Sequence, residues 1–326
     1  MKILFGMRDD GDMTEPMNIM LLSALAKQSG HQTDLWVMER DDLGETIKRT
    51  KPDLVAFSCI TGSHRYYLEA AKRLKTIRPE ALTVFGGPHF TFFPGEILVC
   101  DAVDYLCVGE GDESWPELLR ALEAGRGADQ VANIVSRENV NTRLIRPMGS
   151  DGASYDRYTL APQYLRSRLT ALDDLPFMDR GLVYDQTEFR YRYKRTLMAS
   201  RGCPFRCTYC FEHQWNELYR GKGNIRQWYG VDRFLDELKY IQRNWDTRFF
   251  KFYDDVMLPF PNPAELAWHE EFCRKYPARI GLPFHLLTRC DLVAALKRRY
   301  GINVIADWKK AGLASITMSI ESGNAF

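Results

Sequence analysis

Ser200-Arg201-Gly202-Cys203-Pro204-Phe205-Arg206-Cys207-Thr208-Tyr209-Cys210 puts three cysteines within eight residues, in the spacing C-x3-C-x2-C. The run follows Thr196–Ser200, an apolar stretch that reads as a strand. Gly202 and Pro204 suit a sharp turn around something bulky. A cysteine cluster this dense reads as a metal site rather than a disulfide framework. Of the eight cysteines, the other five (Cys59, Cys100, Cys107, Cys273 and Cys290) are scattered, mostly in apolar contexts. They read as small core hydrophobes.

Three thiolates on one tight loop can hold three irons of a cubane [4Fe-4S] cluster and leave the fourth iron open to chemistry. The competing reading is a zinc knuckle. Structural zinc takes four ligands, usually in paired short spacings. No second Cys/His pair follows here, and His213 is the only close candidate.

Downstream of the cysteines the chain alternates strand and helix patterns. Strands are expected at Thr196–Ser200, Phe249–Tyr253, Phe284–Leu287 and Ala314–Ile320. Helices are expected over Val231–Arg243, Pro263–Lys275 and Asn303–Ala311. Such repeats build a barrel whose sites lie at the C-terminal ends of the strands. Upstream, Lys2–Gly6, Thr33–Met38, Leu54–Cys59, Leu82–Phe85 and Tyr105–Val108 are near-continuous apolar runs, the pattern of buried parallel strands. A helix is expected to start near Thr14, with Pro16 in its first turn, and to end by Gly30; another is expected over Ser63–Arg78 and a third over Glu113–Ala124. In the second of these, Tyr67, Ala70, Ala71, Leu74 and Ile77 share one face. The expected architecture is α/β: a flavodoxin-like doubly wound sheet over 1–125, a connector over 126–195, and a partial barrel of four strand–helix units over 196–326. Within the connector, Ala132–Arg137 and Val140–Arg146 are expected to pair as a hairpin around Glu138-Asn139.

Ligands of a doubly wound sheet sit beyond the carboxyl ends of its strands. Those ends carry Ser58-Cys59-Ile60-Thr61-Gly62, Gly86-Gly87-Pro88-His89 and Gly109-Glu110-Gly111. Small residues there admit a bulky ligand, although plain turn chemistry also accounts for them. A formal net charge of +1 gives no support to a nucleic-acid partner. No apolar run is long enough to span a bilayer, and the N-terminus lacks a signal-peptide core, so a cytoplasmic location is expected.

With these motifs assembled, the sequence resembles the radical S-adenosylmethionine (SAM) superfamily. Its hallmark is that cysteine spacing after the first barrel strand. Gly86-Gly87-Pro88-His89, Val108-Gly109-Glu110-Gly111-Asp112-Glu113, Leu175-Pro176-Phe177, Asp254-Asp255 and Glu321-Ser322-Gly323 are similar to landmarks of the cobalamin-dependent subgroup. That subgroup includes methyltransferases of unreactive carbon or phosphorus and the anaerobic ring cyclase of chlorophyll biosynthesis. The resemblance implies three cofactors: a [4Fe-4S] cluster on Cys203, Cys207 and Cys210, SAM on its open iron, and cobalamin on the N-terminal domain. It implies reductive SAM cleavage to a 5′-deoxyadenosyl radical, followed most simply by methyl transfer to a small-molecule or natural-product-like substrate. A donor such as flavodoxin or ferredoxin would supply the electron. Cyclisation, rearrangement or oxidation, with or without cobalamin, is the alternative outcome. A non-catalytic cobalamin- or metal-binding module is the third.

The resemblance also assigns roles. Tyr209 and Phe211 wall the SAM adenine, unless they are plain packing aromatics. Asp254 and Asp255 contact the SAM amino or ribose groups, unless they merely begin a loop. Arg289 pairs with the SAM carboxylate, with a surface salt bridge as the alternative. Glu321 accepts a hydrogen bond from SAM or is simply solvated. Ser58, Thr61, Gly86, Gly87, His89, Gly109 and Glu110 face the cobalamin. His64 reads as a helix-start residue, and His89 as a corrin contact rather than a cobalt ligand. The D-x-H-x-x-G motif that supplies a cobalt-ligating histidine in classical cobalamin domains does not occur, and the subgroup often binds cobalamin without it. Because the barrel would need about two more strand–helix units after the fourth strand, the chain is expected to be a piece of a longer protein.

Overall fold

A computed structural model describes residues 1–9, 15–146 and 158–318. Thr14, Gly149, Gly152, the end of the expected strand Ala314–Ile320, and Glu321-Ser322-Gly323 lie outside the described residues. The chain divides into two compact units, one of residues 1–169 with 175–186 and one of residues 170–174 with 187–326.

In the first unit the apolar runs form β1 (Lys2–Met7), β2 (Gln32–Val37), β3 (Leu54–Ser58), β4 (Leu82–Gly86) and β5 (Tyr105–Cys107). Between them run α1 (Met17–Gln28), α2 (Leu43–Thr50), α3 (His64–Ile77), α4 (Pro88–Phe92) and α5 (Glu96–Val99), and α6 (Ser114–Glu123) follows. A short β6 (Ile134–Ser136) completes a sheet of order β2-β1-β3-β4-β5-β6. The first five strands pair in parallel and β6 pairs antiparallel to β5. This is a flavodoxin-like winding, whose order reverses beside β1 and β3. Leu4, Leu54, Val55 and Phe85 are fully enclosed, as expected for strands covered on both faces. Helix α3 buries Tyr67, Ala70, Ala71 and Leu74, whereas Ile77 in its last turn is 47% exposed.

The hairpin expected around Glu138-Asn139 does not form. β6 joins the main sheet instead, and Val140–Arg143 turns into a helical segment, α7. Its continuation β7 (Leu144–Ile145) pairs with β8 (Thr159–Leu160). Two side chains explain the difference. Asn139 accepts from the Ser136 backbone N–H at 2.8 Å, closing the chain locally. The buried Arg143 guanidinium donates back to the carbonyls of Val131, Ile134 and Asp129 at 2.5–2.6 Å. A further short helix, α8 (Arg180–Tyr184), packs in this unit, where Arg180 meets Glu15 in a fully enclosed ion pair.

In the second unit, β9 (Lys194–Leu197), β12 (Phe249–Phe252), β13 (Phe284–Thr288) and β14 (Leu313–Met318) form a parallel sheet of order β14-β13-β12-β9. The expected first strand is split. β9 stops at Leu197, and β10 (Ser200–Arg201) pairs antiparallel with β11 (Gln227–Trp228). Helix α9 (Glu212–Leu218) follows the cysteines, and α10 (Val231–Asn244) and α11 (Pro263–Arg279) flank β12 in sequence. α12 (Cys290–Tyr300) and α13 (Val304–Ala311) lead into β14, and Asn303 caps α13 through the Ala306 N–H. Phe234, Phe252, Phe272, Tyr276, Phe284 and Trp308 pack edge-to-face and tilted between sheet and helices. One row across the sheet, Thr196, Lys251, His285 and Ser315 in mutual register, is polar. Among the described residues no helix is long and apolar enough to cross a membrane.

Candidate functional site

The cysteine loop leaves the end of β10 through Gly202, whose φ of 85° lies in the left-handed region that favours glycine. Cys203, Cys207 and Cys210 are all half-buried. The Cys210 N–H donates to the Cys207 carbonyl at 3.1 Å, closing a turn. Asn216 on α9 donates to the Cys203 carbonyl at 2.7 Å and ties the loop to the helix that follows. Burial pushes the Cys203 thiol up to about 11, and the Cys210 thiol is raised for the same reason. Metal loading here therefore releases protons.

The sulfurs fit a cluster better than a single ion. Among the described residues, the set of three His, Cys, Asp or Glu ligand atoms lying within 4.8 Å of one another is His64, His89 and Glu96, not the cysteines. Ligands of one zinc must converge on one point, whereas the three cysteines of a cubane bind three different irons.

Asp254 is fully enclosed at the end of β12, and its carboxylate is committed to the backbone that leads into the loop. It accepts from the Ala199 N–H at 3.1 Å, from the Ser200 N–H at 2.5 Å and from the Ser200 hydroxyl at 2.6 Å. Burial raises its pKa to about 6 despite these bonds. Asp255, next in sequence, is exposed at the strand end. Its carboxyl is also pushed up, first by the desolvating walls around it, with the Gly202 N–H and the Arg226 charge pulling the other way. Thus the two adjacent acids differ: Asp254 is wholly built into the wall, whereas Asp255 keeps exposed surface at the strand end although neighbouring atoms desolvate its carboxyl.

Arg289, at the N-terminus of α12, holds Asp291 with two nitrogens at 3.0 and 2.8 Å. Its third nitrogen donates to the Cys207 sulfur at 3.4 Å, and its guanidinium lies 4.0 Å over the Phe205 ring. The salt bridge and the approach to the loop therefore coexist in one side chain. Tyr209 is 66% and Phe211 44% exposed beside the last cysteine, with Phe211 in edge contact with Trp215. Sequence reasoning missed Arg226. It is half-buried with a side chain only 7% exposed, pairs with Glu265 at 2.7 Å, and donates to the carbonyls of Val256 and Leu258 just past the paired acids. A lone arginine in a short strandless stretch gave no signal for this. Glu321 lies outside the described residues.

In the first unit, the three small-residue loops do meet at the carboxyl edge of the sheet. Gly87 has φ 89° and ψ 179°, a region essentially restricted to glycine. A Cβ there would stand 2.7 Å from the Cys59 carbonyl oxygen. The Thr91 hydroxyl donates to the Gly87 carbonyl and accepts from the Gly109 N–H, both at 3.0 Å, joining two of the loops. Ser58 accepts from Asn18 at 2.6 Å. Gly86 is half-buried beside Ser58, and the Glu110 carbonyl accepts from Asn133 at 2.9 Å. Thr61 and Gly62 are exposed, as are the apolar Ile60 (63%) and Phe93 (41%). An apolar shelf with hydroxyls beside it suits a broad, mostly apolar ligand with polar fringes.

His89 differs from its expected placement: it is 3% exposed and lies beneath the edge. Its ring stacks on His64 at 3.7 Å and on Phe93 at 5.1 Å, and its Nδ1 is 3.1 Å from the Thr61 hydroxyl. Burial, with help from His64, lowers its pKa to about 4, so the ring is neutral at pH 7.

Residues 7–119 match the family described as the B12 binding domain. Over 222 residues the chain is 29% identical to an uncharacterised methyltransferase of Pyrococcus horikoshii, covering 66% of this chain and 42% of that one. It is 25% identical over 291 residues to the anaerobic magnesium-protoporphyrin IX monomethyl ester cyclase of Cereibacter sphaeroides, covering 87% of this chain and 42% of the cyclase. In three dimensions it is similar to the cobalamin-dependent S-adenosylmethionine radical enzyme OxsB solved with aqua-cobalamin and S-adenosylmethionine bound. That match has a TM-score of 0.72 at 18% identity and covers 99% of this chain and 44% of OxsB. The chain thus spans under half the length of each.

Proposed function

We propose that this chain, a relative of the cobalamin-dependent radical SAM enzymes, carries the cofactor-binding part of an enzyme that cleaves SAM reductively, most simply for methyl transfer to an unactivated carbon or phosphorus of a small molecule. The observation that carries the reading is the C-x3-C-x2-C loop, which follows the first strand of a parallel partial barrel in a chain whose residues 7–119 match the B12 binding domain.

Cys203, Cys207 and Cys210 would hold three corners of a [4Fe-4S] cluster. When bound, cluster, SAM and cobalamin supply the electron, the sulfonium and the methyl carrier, and with them the radical chemistry that no side chain provides. The chain's own residues position and shield. Asp254 fixes the backbone before the loop, and Arg226 fixes the carbonyls after the paired acids. Asp255, exposed beside Gly202, is placed to accept from the SAM amino or ribose groups. Arg289 directs an N–H at Cys207, and its charge would suit a SAM carboxylate. Tyr209 and Phe211 offer exposed rings for an adenine. Glu321 keeps its proposed place as a SAM acceptor. In the first unit Ser58, Thr61, Gly86, Gly87, Gly109 and Glu110 would line the cobalamin floor with Ile60 and Phe93. His89 supports that floor from below through Thr61. A flavodoxin- or ferredoxin-type donor in the cytoplasm would deliver the electron.

The test is anaerobic reconstitution with iron, sulfide and hydroxocobalamin, then incubation with SAM and a strong reductant. The expected result is about four irons per chain and 5′-deoxyadenosine, both lost in Cys→Ala variants of the loop. Methyl transfer adds S-adenosylhomocysteine to the products. 5′-Deoxyadenosine without it favours the cyclase-like alternative. Tightly bound zinc with two irons or fewer would refute both.

A further inference from the structure

At the end of β4, in the first unit, His64, His89 and Glu96 each bring one ligand atom within 4.8 Å of the others. The His89 Nε2 is enclosed and has no hydrogen-bond partner among the described residues, and it stands 4.0 Å from a Glu96 carboxylate oxygen. That gap is too long for a hydrogen bond. The Nδ1 of His64 is likewise enclosed and unpartnered. Buried polar atoms nearly always find partners, so two orphaned imidazole nitrogens, one of them 4.0 Å from a carboxylate, call for an explanation.

A shared ion provides it. Zinc bonds of about 2.0–2.2 Å to nitrogen and carboxylate oxygen span a gap of this size. The Thr61 hydroxyl, 3.1 Å from the other ring nitrogen of His89, orients the ring in the way outer-shell groups orient metal-bound histidines. Water can reach the group from the side of Glu96, whose side chain is 29% exposed.

We propose that His64, His89 and Glu96 form a binding site for one divalent transition-metal ion of the imidazole-preferring class, represented by zinc, with water completing the coordination. Two imidazoles and one carboxylate favour such ions over calcium or magnesium. The two rings stack nearly parallel, at 16°, so their lone pairs do not point at a common centre. Binding turns the His64 ring, which is half-buried on the first residue of α3. The site lies directly under Thr61 and would fix the β3 loop at the sheet edge.

The experiment uses the full chain with its iron–sulfur cluster reconstituted, stripped with a chelator and then titrated with zinc against a chromophoric competitor. One zinc per chain is expected, and zinc X-ray absorption should show nitrogen and oxygen neighbours near about 2.0–2.1 Å with no sulfur shell near about 2.3 Å. His64→Gln and Glu96→Gln change the two more accessible ligands and should each weaken binding by tenfold or more, with iron content unchanged. Thr61→Val should weaken it by about 10–100-fold. Wild-type protein that retains no more zinc than the His64→Gln variant, or a sulfur shell showing that zinc sits on the cysteines, overturns the proposal.

Discussion

Asp254→Asn tests how the cysteine loop is held. The carboxylate takes three hydrogen bonds in a fully enclosed place, two on one oxygen and one on the other. Asparagine keeps one acceptor oxygen. If that oxygen stays on Ser200, the new NH2 group faces the Ala199 N–H, donor against donor. An unsatisfied buried donor costs about 1–3 kcal/mol. At roughly 2–4 °C per kcal/mol for a unit of this size, the melting temperature of the metal-free protein falls by about 2–12 °C. A pH series adds a sign. Because the folded pKa of Asp254, about 6, lies above its ordinary value of 3.8, the folded state binds the extra proton between those values. The contribution of Asp254 to stability therefore grows as pH falls from about 6 to about 4, and shrinks as pH rises through the same window. Wild type minus Asp254→Asn should show that slope in chemical denaturation. Iron uptake should also drop, since the backbone leading to Cys203 loses its anchor. A variant that melts with the wild type, shows no slope difference and loads four irons would refute the assignment of Asp254 as a positioning residue.

Arg289→Gln removes the charged donor to Cys207, and the cluster's midpoint potential, read by EPR-monitored titration, should fall by roughly 40–90 mV, for about 1–2 kcal/mol in a one-electron couple. Gly87→Ala forces a Cβ against the Cys59 carbonyl in a glycine-only conformation, so the first unit should lose about 2–5 kcal/mol in denaturant unfolding. Arg226→Met leaves Glu265 without its guanidinium and two carbonyls without donors, and should destabilise by about 3–5 kcal/mol, whereas Arg226→Met combined with Glu265→Leu recovers part of the loss.

The sheet of the first unit was legible because its strands are largely apolar runs and α3 carries one apolar stripe. Parallel strands buried by crossover helices leave no other reading. The cysteine spacing was legible for a different reason: metal chemistry needs those residues at that separation. What escaped was set by single polar side chains acting at a distance. Arg143 reaches three carbonyls and turns an expected hairpin strand into a helical segment. Ser200 leaves its strand because Asp254 pulls its N–H away, so the expected Thr196–Ser200 strand breaks at Leu197. Paired acids in a sequence look alike, and only the fold shows that Asp254 is enclosed and Asp255 exposed. His89 read as a corrin contact from its neighbouring glycines, yet its ring is buried, beside a glutamate seven positions on that no local pattern linked to it.

The bonds that shape the approach to the cysteines come from a residue 54 to 55 positions further along the chain. During synthesis, then, the thiols leave the ribosome well before the carboxylate that anchors their backbone. Until β12 has emerged and docked beside β9, that stretch is a loose tether with exposed sulfur, open to scavenging by stray zinc or oxidant. Iron delivery should accordingly lag translation, and cells starved of iron should accumulate a folded, empty form rather than a half-built one.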